Sequence, residues 1–329
     1  MLRSLRSRPQ LVLVARWALG VAIVGFLLLR FDTGAVARAL QRVDVRLAAP
    51  AVLGLIAVHL LGAVAWHDLS IRLARVRLRW WPTITHYYAA QAVGSITPAN
   101  LGADAYRLAA GRDPAGGWTT LLVPIVIQRV TSQVALGLVA LAAVLILPAS
   151  PSTVPIVFIG ACLLIGSLGV LVLFRHPRLL GRLMRLVPER MRPGLSVKAV
   201  PAGDWLAALT NGTSLALAFH LGSIAMVYVI VVALGEYHDP GPVLACIAVA
   251  RLSVLIPFSP SGLGFQEAAL SILFTQIGLS PELALATALL NRLALVGTMA
   301  LGAGLIVSGR TGTLRHRFEG NPQGAATAD

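Results

Sequence analysis

Four charged residues stand in apolar stretches where charge is costly: Asp104 and Arg129, then Glu267 and Arg292. Each acid precedes its arginine by 25 residues, and both arginines sit in similar settings, Ile127-Gln128-Arg129-Val130 and Leu290-Asn291-Arg292-Leu293. An unpaired charge at the centre of a bilayer costs at least about 3 kcal/mol. The arginines therefore need a partner, which can be Asp104, Glu267 or a bound anion. A guanidinium also presents a planar fork that suits phosphate. Arg107 and Arg251 are further candidate donors; Arg251 lies inside an apolar arm, and Arg107 has the alternative of the membrane surface. Two readings stay open. The pairs either pin neighbouring segments together or also receive the phosphate of a lipid head group.

The same short phrase precedes each acid: Thr97-Pro98-Ala99-Asn100-Leu101-Gly102 and Ser259-Pro260-Ser261-Gly262-Leu263-Gly264. Pro98, Gly102, Pro260, Gly262 and Gly264 break helices, because proline lacks an amide hydrogen and glycine tolerates unusual backbone. A helix that restarts after Gly102 or Gly264 would turn free N–H groups inward, which is how helices bind anions. Hexamer, acid and arginine repeated at equal spacing indicate an internal duplication, a common plan among transporters.

Composition sets the class. Of the 329 residues, 57% are hydrophobic and 12% charged, against about 25% charged in a typical soluble domain. Apolar runs of spanning length recur along the chain, predicting an all-α polytopic membrane protein. The net charge of +14 is carried mainly by arginines in short connections between those runs. That pattern orients helices in a bilayer and does not point to nucleic acid. Cys162 and Cys246 lie in apolar runs with no Cys or His at ligand spacing, and read as buried packing residues.

Taken in order, Leu11–Leu29 is expected to be the first span, favoured over a signal peptide by its length of about 19 residues. A mixed-charge connection, 30–46, leads to a span over Leu47–Trp66 and then to a basic loop at 68–79. Ile84–Ile96 and Ala103–Gly111 flank the first hexamer as arms too short to cross, which predicts a re-entrant hairpin. Trp118–Leu147 is a long run with Arg129 near its centre, and Val154–Phe174 the next span. Residues 175–203 form the most basic loop. Asp204 is expected to cap a helix reaching Leu234. Residues 242–258 and 265–278 form a second pair of short arms, and Glu282–Val307 the last span.

The arginine asymmetry puts 68–79, 175–203 and the tail on the cytoplasmic side, and the acidic loop 236–239 outside. The first hairpin then enters from the cytoplasm and the second from outside. The expectation is six spans plus two re-entrant hairpins in an inverted-topology repeat, both termini cytoplasmic, in the cell membrane. A single membrane domain covers 1–320, with repeat one about 11–147, repeat two about 154–308, and a disordered tail at 321–329.

No run of P-loop or zinc-protease type is present. His59, His67 and His220 lack the spacing of a metal site, and no cofactor is expected. Asn211-Gly212-Thr213 matches a glycosylation sequon but falls within a membrane segment.

The set Pro98-x-x-x-Gly102-x-Asp104-x-x-Arg107, Arg129, Ile256-Pro257 through Gly264-x-x-Glu267 and Arg292 resembles the lysylphosphatidylglycerol synthase transmembrane region, or flippase-like domain, family. Relatives often carry Glu before the span arginine and Asp three residues after it; here stand Gln128 and Ser132. In well-understood members this region moves an aminoacylated phospholipid between leaflets, and a soluble aminoacyl-transfer domain follows. No comparable soluble stretch lies in these 329 residues, so the resemblance does not imply lysyl transfer. The expected activity is non-enzymatic translocation of a phospholipid or other anionic lipid. The alternatives are an intramembrane lipid-modifying enzyme, or an accessory subunit of a separate lipid-modifying enzyme.

Overall fold

The computed structural model describes residues 9–30, 32–97, 100–111, 121–147, 153–176, 201–235, 238–255, 259–312 and 314. Pro98, most of the basic loop, both ends of the chain and residue 313 lie outside them.

The described residues are almost entirely helical. The first part holds α1 (Pro9–Arg30), α2 (Thr33–Gln41), α3 (Val45–Ala57), α4 (His59–Ala74), α5 (Trp80–Ser95), α6 (Leu101–Ala110) and α7 (Leu122–Val144). The second holds α8 (Thr153–Arg175), α9 (Ala202–Ala233), α10 (Pro240–Ala250), α11 (Phe265–Gln276) and α12 (Pro281–Val307), with 3₁₀ turns at Arg251–Leu255 and Pro260–Gly262 between α10 and α11. Among the described residues five segments are long and apolar enough to cross a membrane: Val45–Ala74, Leu122–Val144, Ile156–Leu173, Gly203–Ala233 and Pro281–Val307. At the place of the expected first span stands α1, whose described apolar portion, Val14–Leu27, is shorter. Large side chains such as Phe158 and Ile165 are 69% and 70% exposed, as lipid-facing residues would be.

Start signals explain several boundaries. Asp32 accepts from the Ala35 amide at 3.1 Å, Asp44 from Arg46 at 2.9 Å, Asp239 from Gly241 at 3.0 Å, and the Ser280 hydroxyl from Leu283 at 3.1 Å. Each satisfies an amide that the first turn leaves unpaired. The cap formed by Asp32 makes a helix, α2, of what reads in sequence as a charged connection. Asp204 does not cap α9 as expected: Pro201 holds that place, and Asp204, in the first turn, pairs with Arg75.

Helix α9 is the hub, packing against α3, α4, α7 and α10. The last helix, α12, runs along α5, and the two backbones come close at Gly302, where a Cβ would sit 2.1 Å from the Tyr88 carbonyl oxygen. Connections gather at two ends of the bundle. At one, Arg79 N–H donates to Leu314 O at 3.0 Å, Thr85 Oγ1 to Thr311 O at 3.1 Å, and Arg75 meets Asp204. At the other, Asp44 N–H donates to Ala233 O at 2.8 Å, and Gly241 lies against Ile146. Cys246 is buried in α10, but Cys162 is exposed on α8 and is not the buried residue expected; α8 packs mainly on α7, which leaves much of its surface uncovered.

Candidate functional site

Helix α5 stops at Ser95 and α6 restarts at Leu101; α10 gives way to a 3₁₀ turn after Ala250, and α11 starts at Phe265. The backbone turns left-handed at Asn100 (φ 58°) and, at the same position of the second hexamer, at Gly262 (φ 68°). Asparagine and glycine are the residues that tolerate that region best. The tips touch: Ser261 Oγ donates to Ser95 O at 3.2 Å.

The restarts differ from expectation in one respect. Helix α6 begins one residue before Gly102, whose amide donates to Thr97 Oγ1 at 2.8 Å; the Gly264 amide donates to Glu267 Oε2 at 2.8 Å. These two amides are satisfied by the protein's own oxygens and are not open to an anion. The charged side chains beside the breaks are the next candidates for anion chemistry.

Those side chains converge. Arg129 Nε donates to Asp104 Oδ2, and its Nη2 reaches Asn100 O at 3.1 Å. Arg292 Nε donates to Glu267 Oε1 at 2.8 Å, and its Nη1 reaches Ser261 O at 3.3 Å. In both halves an arginine from a long helix holds a carboxylate just past the break with Nε and a carbonyl of the break with Nη. Glu267 is 2% exposed; burial at that level demands a countercharge.

Arg107 is buried, 6% exposed, so the membrane-surface alternative does not hold. It donates to Asp104 Oδ1 and to Gln128 Oε1, each at 2.5 Å, and its guanidinium lies 5.4 Å from the Trp66 ring and 5.6 Å from that of Tyr87. Gln128 in turn donates to Gly62 O at 2.7 Å. Asp104 thus serves two arginines, whereas Glu267 serves one. Spacing alone missed this asymmetry, and missed Gln128, Trp66 and Tyr87, because nothing local marks which apolar helix will face Arg107.

Most of these groups, though not Glu267 or Trp66, border a cavity of about 480 Å³. Arg107, Arg129, Arg251 and Arg292 line it, as do Asp104, Asn100 and Ser261. Arg251 sits at the C-terminal end of α10, where a cation suits the helix dipole. Its guanidinium lies 5.7 Å from the Phe219 ring, and its buried Nε has no hydrogen-bond partner. His59 donates from Nδ1 to Leu55 O at 3.1 Å, and His220 from Nε2 to Ser132 O at 3.2 Å. Both rings are held by the backbone, and the described residues contain no group of three or more His, Cys, Asp or Glu placed to hold a metal ion. Pro98 lies outside the described residues; Pro260 opens the second 3₁₀ turn.

With four guanidinium groups against two carboxylates, the cavity carries a surplus of positive charge that a buried site keeps only if an anion visits it or water reaches it. The model of the lysylphosphatidylglycerol synthase TM region matches residues 13–302 of the chain. No curated protein matches it.

Proposed function

The chain belongs to the lysylphosphatidylglycerol synthase TM region family, and from that membership and the charged cavity we propose that it translocates a phosphate-bearing lipid between membrane leaflets without changing it chemically. The observation that carries this reading is the placement of Arg107, Arg129, Arg251 and Arg292 around one cavity where the two helix breaks meet. A lipid phosphate crossing the bilayer needs its charge offset at mid-depth, and guanidinium groups there provide the offset.

The architecture proposed for this task is six spans and two re-entrant hairpins, α5–α6 and α10–α11, in inverted repeats. Packing supports it. Exchanging α3–α4 with α9, α5 with α10 and α7 with α12 turns the α12–α5 contact into the α7–α10 contact, and α12–α3 into α7–α9. Each arginine helix thus packs on the other half's entry arm and second span, as a two-fold relation requires. The loop ending at Arg79 and the segment at Thr311–Leu314 share one end of the bundle. The basic charge of the first then supports a cytoplasmic C-terminus in the cell membrane.

Movement of α5–α6 and α10–α11 against α9 would open the cavity to one leaflet and then the other. The Asp104 and Glu267 pairs hold the arginines at mid-depth meanwhile. The test is purified protein in liposomes with fluorescent lipids. Leaflet exchange of an unmodified lipid is the expected result. A modified lipid product would favour an enzyme acting in the membrane, and no exchange without a second protein would favour an accessory subunit of a lipid-modifying enzyme.

A further inference from the structure

The polar groups facing the cavity differ in how far the protein already satisfies them. Both oxygens of Asp104 are taken, Oδ1 by Arg107 and Oδ2 by Arg129. Both oxygens of Glu267 are taken, Oε1 by Arg292 and Oε2 by the Gly264 amide. Asp104, the carboxylate on the cavity wall, is already shared between two arginines, so an ammonium group there would compete with buried charge-assisted bonds.

Arg251 is in the opposite condition. Among the described residues no acid pairs with it, and Phe219 is its aromatic neighbour. It lines the cavity with a charge that no acid among the described residues compensates. Apart from the arginines, Asp104 and the rings of His59 and His220, the polar lining is of amides and hydroxyls, among them Gln133, Gln266, Asn291, Ser132 and Ser223. Carboxamides carry both donors and acceptors, so they complement hydroxyl groups and add no charge.

We propose that the cavity takes the head group of an anionic phospholipid whose head is otherwise uncharged and hydroxylated. Arg251 docks the phosphate, the amides of Gln133, Gln266 and Asn291 receive the hydroxyls, and heads bearing an amine are rejected. The inference deepens the translocator reading and rests on it. An ammonium entering beside Arg251 meets a second uncompensated cation, and pairing with Asp104 or Glu267 would mean displacing an arginine from a buried contact.

The test has a binding arm and a transport arm. In detergent, thermal unfolding of the full chain is titrated with phosphatidylglycerol, phosphatidylethanolamine and lysylphosphatidylglycerol. Phosphatidylglycerol should bind at least about tenfold more tightly than either amine-bearing lipid, the scale of one charge-assisted contact. Arg251→Gln should lose about that factor while its lipid-free melting temperature holds or rises, because an unpaired buried charge has gone. Arg251→Lys, which keeps the charge without the fork, should fall between the two. Gln133→Glu, which supplies a free carboxylate, should raise the affinity for lysylphosphatidylglycerol. The proposal is overturned if wild-type protein binds an amine-bearing lipid as tightly as phosphatidylglycerol, if it binds none of the three, or if Arg251→Gln binds phosphatidylglycerol unchanged. Selective binding with no leaflet exchange in liposomes sinks the translocator reading and leaves the head-group assignment standing. Exchange of all three lipids at equal rates does the reverse.

Discussion

Asn100 and Gly262 occupy the same place in the two helix breaks, and both have left-handed backbone, at φ 58° and 68°. One bears a side chain and the other does not, so they respond differently to substitution. Holding an ordinary L-residue left-handed costs about 1–2 kcal/mol. Gly262→Val should lower stability by about that amount, whereas Asn100→Gly should be nearly neutral at the backbone. Thermal unfolding in one detergent compares the two; equal losses would count against the shared geometry.

The arginine pairs make unequal demands. Glu267 serves Arg292 alone, so Glu267→Gln strands a buried cation and should destabilise by about 3–5 kcal/mol. Glu267→Gln with Arg292→Gln removes both charges and should recover most of that loss. If the pair only pins α11 to α12, leaflet exchange recovers too; if Arg292 meets substrate, the double variant folds and stays inactive. The same design fails in the first half, because neutralising Asp104 and Arg129 leaves Arg107 without its acid.

Arg129→Lys keeps the charge beside Asp104 but cannot hold Oδ2 and Asn100 O together as the guanidinium does. Exchange of labelled lipid should slow by about tenfold, the scale of a charge-assisted hydrogen bond. The melting temperature should change little. A lysine variant with wild-type exchange would remove Arg129 from the proposed site.

Close packing between α12 and α5 depends on Gly302. A Cβ there meets the Tyr88 carbonyl oxygen at 2.1 Å, an atom fixed in a helix. Gly302→Ala should therefore cost about 1–3 kcal/mol through overpacking. Gly304, with nothing within 4 Å of its Cβ position, should accept alanine with a gain of up to about 1 kcal/mol from helix propensity. Unfolding midpoints in the same detergent check both.

Sidedness can be read with single cysteines in a cysteine-free background. Thr311→Cys should label only from the cytoplasm and His238→Cys only from outside. An external label at position 311 would invert the proposed topology.

The sequence alone determined the class and the break points, and narrowed the partners of the two span arginines. Apolar length fixed helices, because a bilayer leaves no other partner for backbone groups. The repeated hexamer and the 25-residue interval offered Asp104 and Glu267, or a bound anion, as partners for the arginines; in the fold Asp104 meets Arg129 and Glu267 meets Arg292. What sequence could not decide was which groups remain unsatisfied once the chain folds. Arg107 offered a surface position by its place in a short arm. Tertiary packing instead set it beside Trp66 and Tyr87 and bound it to Gln128, a residue from another helix. The restarts promised open amides, and the fold closes those of Gly102 and Gly264 themselves, on Thr97 and Glu267. Arg251 looked like one of two auxiliary donors, the one inside an apolar arm. Only the fold left it on the cavity without an acid, because charge compensation is a sum over neighbours from α6, α7, α9, α11 and α12, and that sum exists only when those helices are assembled.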